Sequence, residues 1–387
     1  MRNRNKNLRL LAICNYPSDT RPVNVVFVRA LLLELAVLGI DITVLAPEPL
    51  NNLTKASTGF RLAPRHEIRD GIAIYRPRYM RYSNIDIPFG GTTKNWSDAS
   101  HVKAALREVQ KLSGSFDLCY AHFLYPQGLA AAQVGDLLGI PAVTSLGESS
   151  FNRYAATYSN NDISHLLAKF SGVLANSFLI KEYCIQHFGL REDNIEVLPN
   201  GVNEKLFFPR ERKAARKQCK LPQDRPIVVF VGQLIERKGP LRVLEAIQPW
   251  PEVGAVFLGQ GPQVPRGPQV LFQGAVAHED VPIWLSAADI FVLPTLDEGC
   301  SNAILEALFC GLPIVSSALP FNHDILDDQV AILVDPGNVT EIGQAVFSLV
   351  NNPEQRTSMH MAAMEHSRNF RLGDRAKRIN AYLNTFC

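Results

Sequence analysis

Short apolar runs alternate with amphipathic stretches along most of this chain, and their spacing predicts a series of strand–helix–strand units. Residues 8–14 (LRLLAIC) form a run of strand length. Residues 25–38 then place Phe27, Ala30, Leu31, Leu35 and Leu38 on one helical stripe, and Gly39 stands where such a helix ends. Residues 42–46 return to strand. The same unit recurs with a strand ending at Tyr120, a loop over 121–127 and a helix after Gly128. Further strands are predicted at 142–145, 173–175 and 195–198, with Asn176-Ser177 capping a helix over 178–188. In the second half, strands are predicted at 227–231, 255–258, 270–273, 290–293 and 313–316. Apolar strands separated by helices predict parallel sheets covered on both faces. Residues 51–100 break the pattern and are expected to be irregular and polar, with a helix resuming over 101–112.

The densest signal is residues 289–317, DIFVLPTLDEGCSNAILEALFCGLPIVSS. A strand leads through a polar connection to Ser301 or Asn302, either a good N-cap, then an apolar helix closed by Gly311 and another strand. The connection lies at the carboxyl end of a strand, where open parallel sheets bind ligands. Gly299, Cys300, Ser301 and Asn302 enter the helix with free N–H groups and the positive end of its dipole, which suits an anion. Glu298 and Glu306 flank that helix start; two carboxylates there suit sugar hydroxyls better than phosphate. Taken singly, they also read as a capping acid and a solvated helix glutamate. Lys238, in the loop GQLIERKG (232–239) before another helix, is a natural diphosphate partner and equally an ordinary surface lysine. His122, ending a strand, reads either as a packed histidine or as a ligand contact.

The pair Glu298-x7-Glu306 within EGCSNAILEALFCGLP resembles the signature of the retaining GT-B glycosyltransferases of glycosyltransferase family 4. PNGVNEKLFFP (199–209) resembles that family's bridge between its two domains. The resemblance implies an α/β chain of two doubly wound Rossmann-like domains facing each other across a cleft: an acceptor-side domain over 1–205, a nucleotide-sugar domain over 206–352, and a terminal helix over 353–387 crossing back to the first domain. It also implies transfer of a hexose from a UDP- or GDP-linked sugar to a glycan or lipid-linked acceptor, with retention of configuration, in cell-surface polysaccharide synthesis. Glu298 would face the donor hexose, Glu306 the ribose, and His122 the sugar near the reacting carbon. Gln233, Arg237 and Lys238, with residues 299–302, would line the donor diphosphate. Gln233 stands where the family usually has arginine, and Arg237 is expected to replace that charge. Asp19, Arg21 and Glu148 are the acceptor-side candidates. The first loop, 15–24, lacks the family's glycines, and residues 318–324 lack its glycine pair and glutamate. A nucleotide-sugar epimerase on the same fold and a non-catalytic nucleotide-sugar-binding subunit are the rival readings.

Composition narrows the field. At 387 residues, 47% apolar and 20% charged, the chain fits two soluble domains. The run in MRNRNKNLRLLAIC is too short for a signal peptide, no stretch is apolar enough to span a membrane, and no GxGxxG fingerprint favours a dehydrogenase. Seven scattered cysteines without a CxxC suggest neither zinc site nor disulfide framework and fit a cytoplasmic location. No cofactor or metal is expected, because no His/Asp/Cys cluster shows ligand spacing while Lys238, Arg237 and the helix terminus can neutralise a diphosphate. Charge is uneven: residues 1–111 hold 17 basic against 9 acidic side chains, the remainder 22 against 28. Arg61, Arg65, Arg69, Arg76, Arg78 and Arg81 are interleaved with Tyr75, Tyr79, Tyr82 and Phe89. That stretch predicts reversible association with an anionic membrane on its cytoplasmic face, and no nucleic-acid module accompanies it.

Overall fold

The computed structural model describes residues 7–19, 25–50, 62–85, 92–148, 151, 154 and 157–387. The chain divides into two units, one of residues up to Leu198 together with Gly373–Cys387, the other Pro199–Leu372. In the first, β1 (Arg9–Ile13), β2 (Asp41–Leu45), β3 (Glu48–Pro49), β4 (His66–Arg69), β5 (Ile72–Tyr75), β6 (Arg78–Tyr79), β7 (Leu118–His122), β8 (Ala142–Leu146), β9 (Gly172–Ala175) and β10 (Ile195–Val197) follow in order. Eight of them make a sheet ordered β10-β9-β8-β7-β1-β2-β5-β4, while β3 pairs with β6. Every neighbour in the sheet is parallel except β4 against β5. Leu10, Leu11, Ala12 and Ile13 of β1 are fully buried, as expected of a central parallel strand covered on both faces.

Chain order explains where this sheet opens. From β1 the chain winds one way through β2 and β5, then returns to β7 and winds the other way through β8, β9 and β10. The reversal falls between β1 and β7, so their following loops diverge and leave a crevice at the carboxyl ends. Helices α1 (Val26–Val37), α2 (Lys94–Val109), α3 (Leu129–Leu138), α4 (Asn160–Leu167) and α5 (Phe178–Phe188) accompany the strands. Ser177 caps α5 as predicted, accepting from the Ile180 amide at 3.3 Å.

The region expected to be irregular contains more order than its polarity suggests. β4 and β5 form a hairpin across Asp70-Gly71, whose φ angles of 55° and 81° are the left-handed pair that a tight hairpin turn demands. Ile72 and Ile74 point inward from β5. The following helix starts at Lys94 rather than 101, adding Trp96, Ser97 and Asp98 to its first turns.

The second unit is a six-stranded, wholly parallel sheet. Its strands are β11 (Ile227–Val231), β12 (Gly254–Leu258), β13 (Val270–Gly274), β14 (Ile290–Leu293), β15 (Ile314–Ser317) and β16 (Ala331–Val334), in spatial order β13-β12-β11-β14-β15-β16. Phe230, Phe257 and Phe291 lie fully buried in its core. Here the reversal falls between β11 and β14. The loops after β11 and β12 touch backbone to backbone: a Cβ on Gly259 would stand 1.8 Å from the Gly232 carbonyl oxygen, and one on Gly261 would stand 2.2 Å from that of Leu234. Only glycine fits either place. Helices α6 (Arg212–Gln218), α7 (Pro240–Ile247), α8 (Val281–Ala287), α9 (Asn302–Phe309), α10 (Val339–Asn351) and α11 (Pro353–His366) pack around this sheet.

The return to the first unit comes later than residue 353. Helix α11 stays in the second unit, where His360 Nδ1 lies 2.7 Å from the Gly311 carbonyl and His366 Nε2 lies 3.0 Å from that of Ile325. The chain rejoins the first unit at Gly373, within α12 (Leu372–Asn384). There the Tyr382 hydroxyl accepts from the Val173 amide at 3.2 Å and donates to the Asn194 carbonyl at 2.9 Å. Gly172 makes room for it, since a Cβ there would meet Tyr382 and Phe386 at 2.5 Å.

Candidate functional site

In the second unit the loops after β11 and β14 meet across the sheet's reversal. The Leu296 amide donates to the Arg237 carbonyl at 2.8 Å, which stitches them together. Lys238 closes a single 3-10 turn, Glu236–Lys238, and Gly239 (φ 76°) redirects the chain into α7. This places Lys238 Nζ in an ion pair with Glu298 Oε1. The same oxygen lies 3.4 Å from Arg237 Nη1 and accepts from the Thr295 hydroxyl at 3.3 Å. Arg237 also donates to the Asp297 carbonyl. Burial first, and the neighbouring Arg237 charge second, pull Lys238 down to about 7, while Asp297 opposes them. The lysine expected on phosphate and the glutamate expected on sugar are therefore in contact with each other. The Gln233 side chain stands exposed near the start of the same loop as Lys238.

The loop after β14 ends in Ser301, the N-cap of α9, at extended φ −79° and ψ 109°. Its hydroxyl makes no capping bond, and Gly299, Cys300 and Ser301 are all buried. The first-turn amides of α9 thus have no side-chain acceptor from the cap itself. Cys300 is held from the far side: the Asn200 amide group donates to its carbonyl at 3.1 Å, and the Asn200 backbone N–H approaches its Sγ at 3.4 Å. One and a half turns along α9, Glu306 Oε1 lies 3.0 Å from His278 Nε2. Burial alone would lower His278. The hydrogen bond and charge of Glu306, helped by Glu279, instead raise it above the ordinary imidazole value.

Neither Asn200 nor His278 was singled out by the sequence. Asn200 lies within the recognised bridge segment, so its motif was visible though its role was not. His278 lies 28 residues before Glu306 with no spacing rule to link them.

In the first unit His122 ends β7 at the sheet's reversal and is 3% exposed. Its Nδ1 lies 2.9 Å from the Tyr120 hydroxyl, and the Phe27 and Phe123 rings sit 5.6 and 4.8 Å away. Burial, with Arg375 adding to it, drives His122 down to about 3, so the ring is neutral at physiological pH. Where Tyr120 donates to Nδ1, the imidazole proton resides on Nε2. Phe123 follows at φ 76°, a strained backbone for an aromatic residue. Glu148 is buried under that turn, accepting from the Leu124 amide at 2.7 Å and the Tyr154 hydroxyl at 2.8 Å. In this geometry Glu148 anchors the turn beside His122.

Asp19 is largely exposed and paired with Arg69. Arg21 lies outside the described residues, as do Arg61 and Phe89. The arginine series departs from an open basic face. Arg76 is buried, donating to the Pro17 carbonyl at 3.1 Å and lying 2.7 Å from Glu67; Arg78 is buried against Glu48 and the Ala63 carbonyl. Short neighbouring strands bring acids alongside these guanidiniums, and a buried charge persists only when paired. Arg65 and Arg81 are the exposed members.

Comparison with known proteins agrees with this architecture. The family described as "Glycosyltransferase Family 4" matches residues 25–206, and "Glycosyl transferases group 1" matches residues 211–366. The putative teichuronic acid biosynthesis glycosyltransferase TuaC of Bacillus subtilis is 31% identical over 345 residues, covering 86% of each chain. A D-inositol 3-phosphate glycosyltransferase of Paenarthrobacter aurescens is 23% identical over 290 residues, 68% of this chain and 71% of the other. Among solved structures, sucrose-phosphate synthase from Thermosynechococcus elongatus superposes with a TM-score of 0.79 at 18% identity, covering 97% of this chain and 98% of that one. HepE from Anabaena, in complex with UDP and glucose, gives 0.74 at 18% identity over 98% and 100%. These two share the fold, GT-B, with its two Rossmann-like units. With a family match over each unit and a relative this similar along most of its length, the chain belongs to glycosyltransferase family 4 and is a glycosyltransferase.

Proposed function

We propose that the protein moves a hexose from a nucleoside diphosphate sugar to a glycan or lipid-linked acceptor during cell-surface polysaccharide synthesis, retaining the anomeric configuration and using no metal. The observation that carries this reading is the convergence of Lys238, Arg237 and Glu298 at the reversal of the second sheet, beside the α9 start and the Glu306–His278 pair. Diphosphate entering there meets two cations and the α9 amides, and Lys238 exchanges Glu298 for a phosphate oxygen. Released Glu298 accepts from hexose hydroxyls, while Glu306, oriented by His278, accepts from the ribose. As the glycosidic bond breaks, negative charge grows on the diphosphate, and the cations oppose it most strongly then. Neutral His122 offers a hydrogen bond to the sugar.

The names of the relatives support the substrate class: HepE was crystallised with UDP and glucose, and TuaC is named for teichuronic acid synthesis. Among the described residues no group of three or more His, Cys, Asp or Glu is placed to hold a metal. Among the same residues no helix is long and apolar enough to cross a membrane. Association with an anionic membrane would be peripheral, and rests on exposed Arg81, Lys103 and Arg107 beside exposed Met80, Tyr82, Ile85 and Trp96 rather than on buried Arg76 and Arg78. The deciding experiment supplies radiolabelled UDP- and GDP-hexoses with membrane extract. Label moved to an acceptor with retained configuration supports the reading; an epimerised or merely bound sugar overturns it.

A further inference from the structure

Four fully buried polar side chains, Thr295, Ser316, Ser317 and Asn322, link the end of β15 to Glu298. Asn322 closes the 3-10 turn Pro320–Asn322, in a segment that departs from the family's pattern. Buried Phe321, Ile325 and Leu326 anchor that turn, and the Ile325 and Leu326 amides donate to the Asn322 carbonyl at 3.0 and 2.8 Å. Asn322 Nδ2 in turn donates to the Ser317 carbonyl at 2.8 Å and to Ser316 Oγ at 3.1 Å. A carbonyl only accepts, which fixes the orientation of the Asn322 amide. Ser316 passes its own proton to the Leu293 carbonyl at 2.8 Å, and Ser317 donates to the Thr295 carbonyl at 2.5 Å. These two bonds grip the chain on either side of Pro294, where it leaves β14.

Thr295 aims its hydroxyl at Glu298 Oε1, 3.3 Å away, and at the Asp297 carbonyl, 3.2 Å away. The carboxylate is the stronger acceptor, and Arg237 already donates to the Asp297 carbonyl, so the proton goes to Glu298. Stability alone does not call for this arrangement. Apolar side chains of the same shape would pack there at little cost, and Asn322 Oδ1 has no partner among the described residues. What sets Thr295 apart is the kind of donor it is. Glu298 Oε1 also faces Lys238 and, at 3.4 Å, Arg237. Both are cations, and both turn to a diphosphate that enters the site. Thr295 is neutral, buried and stiff at χ1, so an anion does not draw it away.

We propose that Thr295 is a positioning residue for the transfer, braced from behind by Ser316, Ser317 and Asn322. Its hydroxyl holds Glu298 Oε1 in place after the cations move to the diphosphate, which leaves Oε2 directed at the donor hexose. The proposal rests on the glycosyltransferase reading, in which Glu298 meets that hexose. Full-length Thr295→Val, Thr295→Ser and Ser317→Ala are compared with the unaltered chain. Calorimetry measures the binding of UDP and GDP. Turnover at saturating donor is measured as label moved from UDP-glucose, UDP-N-acetylglucosamine or GDP-mannose to membrane extract.

With the donor that the unaltered chain uses, Thr295→Val should lower turnover by about tenfold or more, the effect of one hydrogen bond to a charged group. Nucleotide affinity should not change, since its contacts are the cations, the α9 amides and Glu306. Thr295→Ser, which keeps the hydroxyl, should restore most of the turnover. Ser317→Ala should show the same split between turnover and affinity in milder form. Full turnover in Thr295→Val, an equal loss in Thr295→Ser, or a loss of nucleotide affinity that matches the loss of turnover overturns the proposal. If Thr295→Val shows no thermal unfolding transition it has failed to fold, and Ser317→Ala decides. Lowered turnover with nucleotide affinity kept then supports the proposal, and unchanged turnover overturns it. Failure of the functional reading is separate: no label moves from any of the donors in the unaltered chain, and the proposal falls with it.

Discussion

Glu306 Oε1 and His278 Nε2 stand 3.0 Å apart, joining the 3-10 turn His278–Asp280, just before α8, to the middle of α9. The contact fixes one carboxylate oxygen and leaves the other for a ligand. Glu306→Gln is expected to weaken UDP or GDP binding by about 1–3 kcal/mol, the scale of a charge-assisted hydrogen bond, and His278→Gln by less. Calorimetry with the free nucleotide diphosphate checks both, and unchanged binding in Glu306→Gln removes the ribose assignment.

The same pair carries a pH signature. His278 is raised in the folded state. Its contribution to stability is therefore fully present below the ordinary imidazole value near 6.5 and is lost as pH rises through the folded value. Thermal unfolding of the wild type should lose more stability between pH 6 and pH 8 than His278→Gln does; parallel curves contradict this.

Lys238 has the opposite sign. Its folded value, about 7, lies below the ordinary 10.5, so the stability linked to it is present above 10.5 and is lost as pH falls towards 7. A bound diphosphate favours the ammonium form, so UDP binding near pH 8 should take up a proton. Calorimetry in buffers of different ionisation enthalpy measures that uptake, which should vanish in Lys238→Met. Lys238→Ala should also depress donor affinity and turnover far more than Gln233→Ala, whose side chain is exposed. Equal effects would show that Lys238 is not the main diphosphate contact.

Lys238→Ala also strips a buried partner from Glu298, at a cost on the order of 3 kcal/mol in stability. Adding Glu298→Gln should restore part of it. Urea denaturation of the double mutant tests this, and strict additivity would mean the two residues do not act as a pair.

His122 is held at about 3 by burial and Arg375. Turnover should therefore show no ionisation of this group between pH 5 and 8. His122→Ala should lower kcat by about 10²-fold or more while leaving UDP affinity intact, the loss expected for one hydrogen bond to the reacting sugar. A matching loss of UDP affinity would place His122 in the fold rather than in the reaction.

The strand–helix–strand units, the Ser177 cap, the helix start at Ser301 (though not a capping bond from its hydroxyl) and the glycine helix ends were legible in the sequence, because strand period, capping and left-handed turns depend on residues a few positions apart. The Asp70-Gly71 hairpin was equally local, though its short, arginine-rich strands read as loop. Family 4 motifs pointed to Lys238, Glu298 and Glu306, but not to what each touches. That was decided by tertiary structure: Lys238 meets Glu298 across 60 residues, Asn200 meets Cys300 across 100, and His278 reaches Glu306 across 28. Arg76 and Arg78 show the same limit from the other side. Their charge in the sequence suggested an outward basic face, and only the pairing of β3 with β6 and β4 with β5 brought Glu48 and Glu67 close enough to turn them inward. Residue types and short spacings set which elements form; the reversals of strand order at β1/β7 and β11/β14, which no local signal encodes, set which side chains meet at the sites.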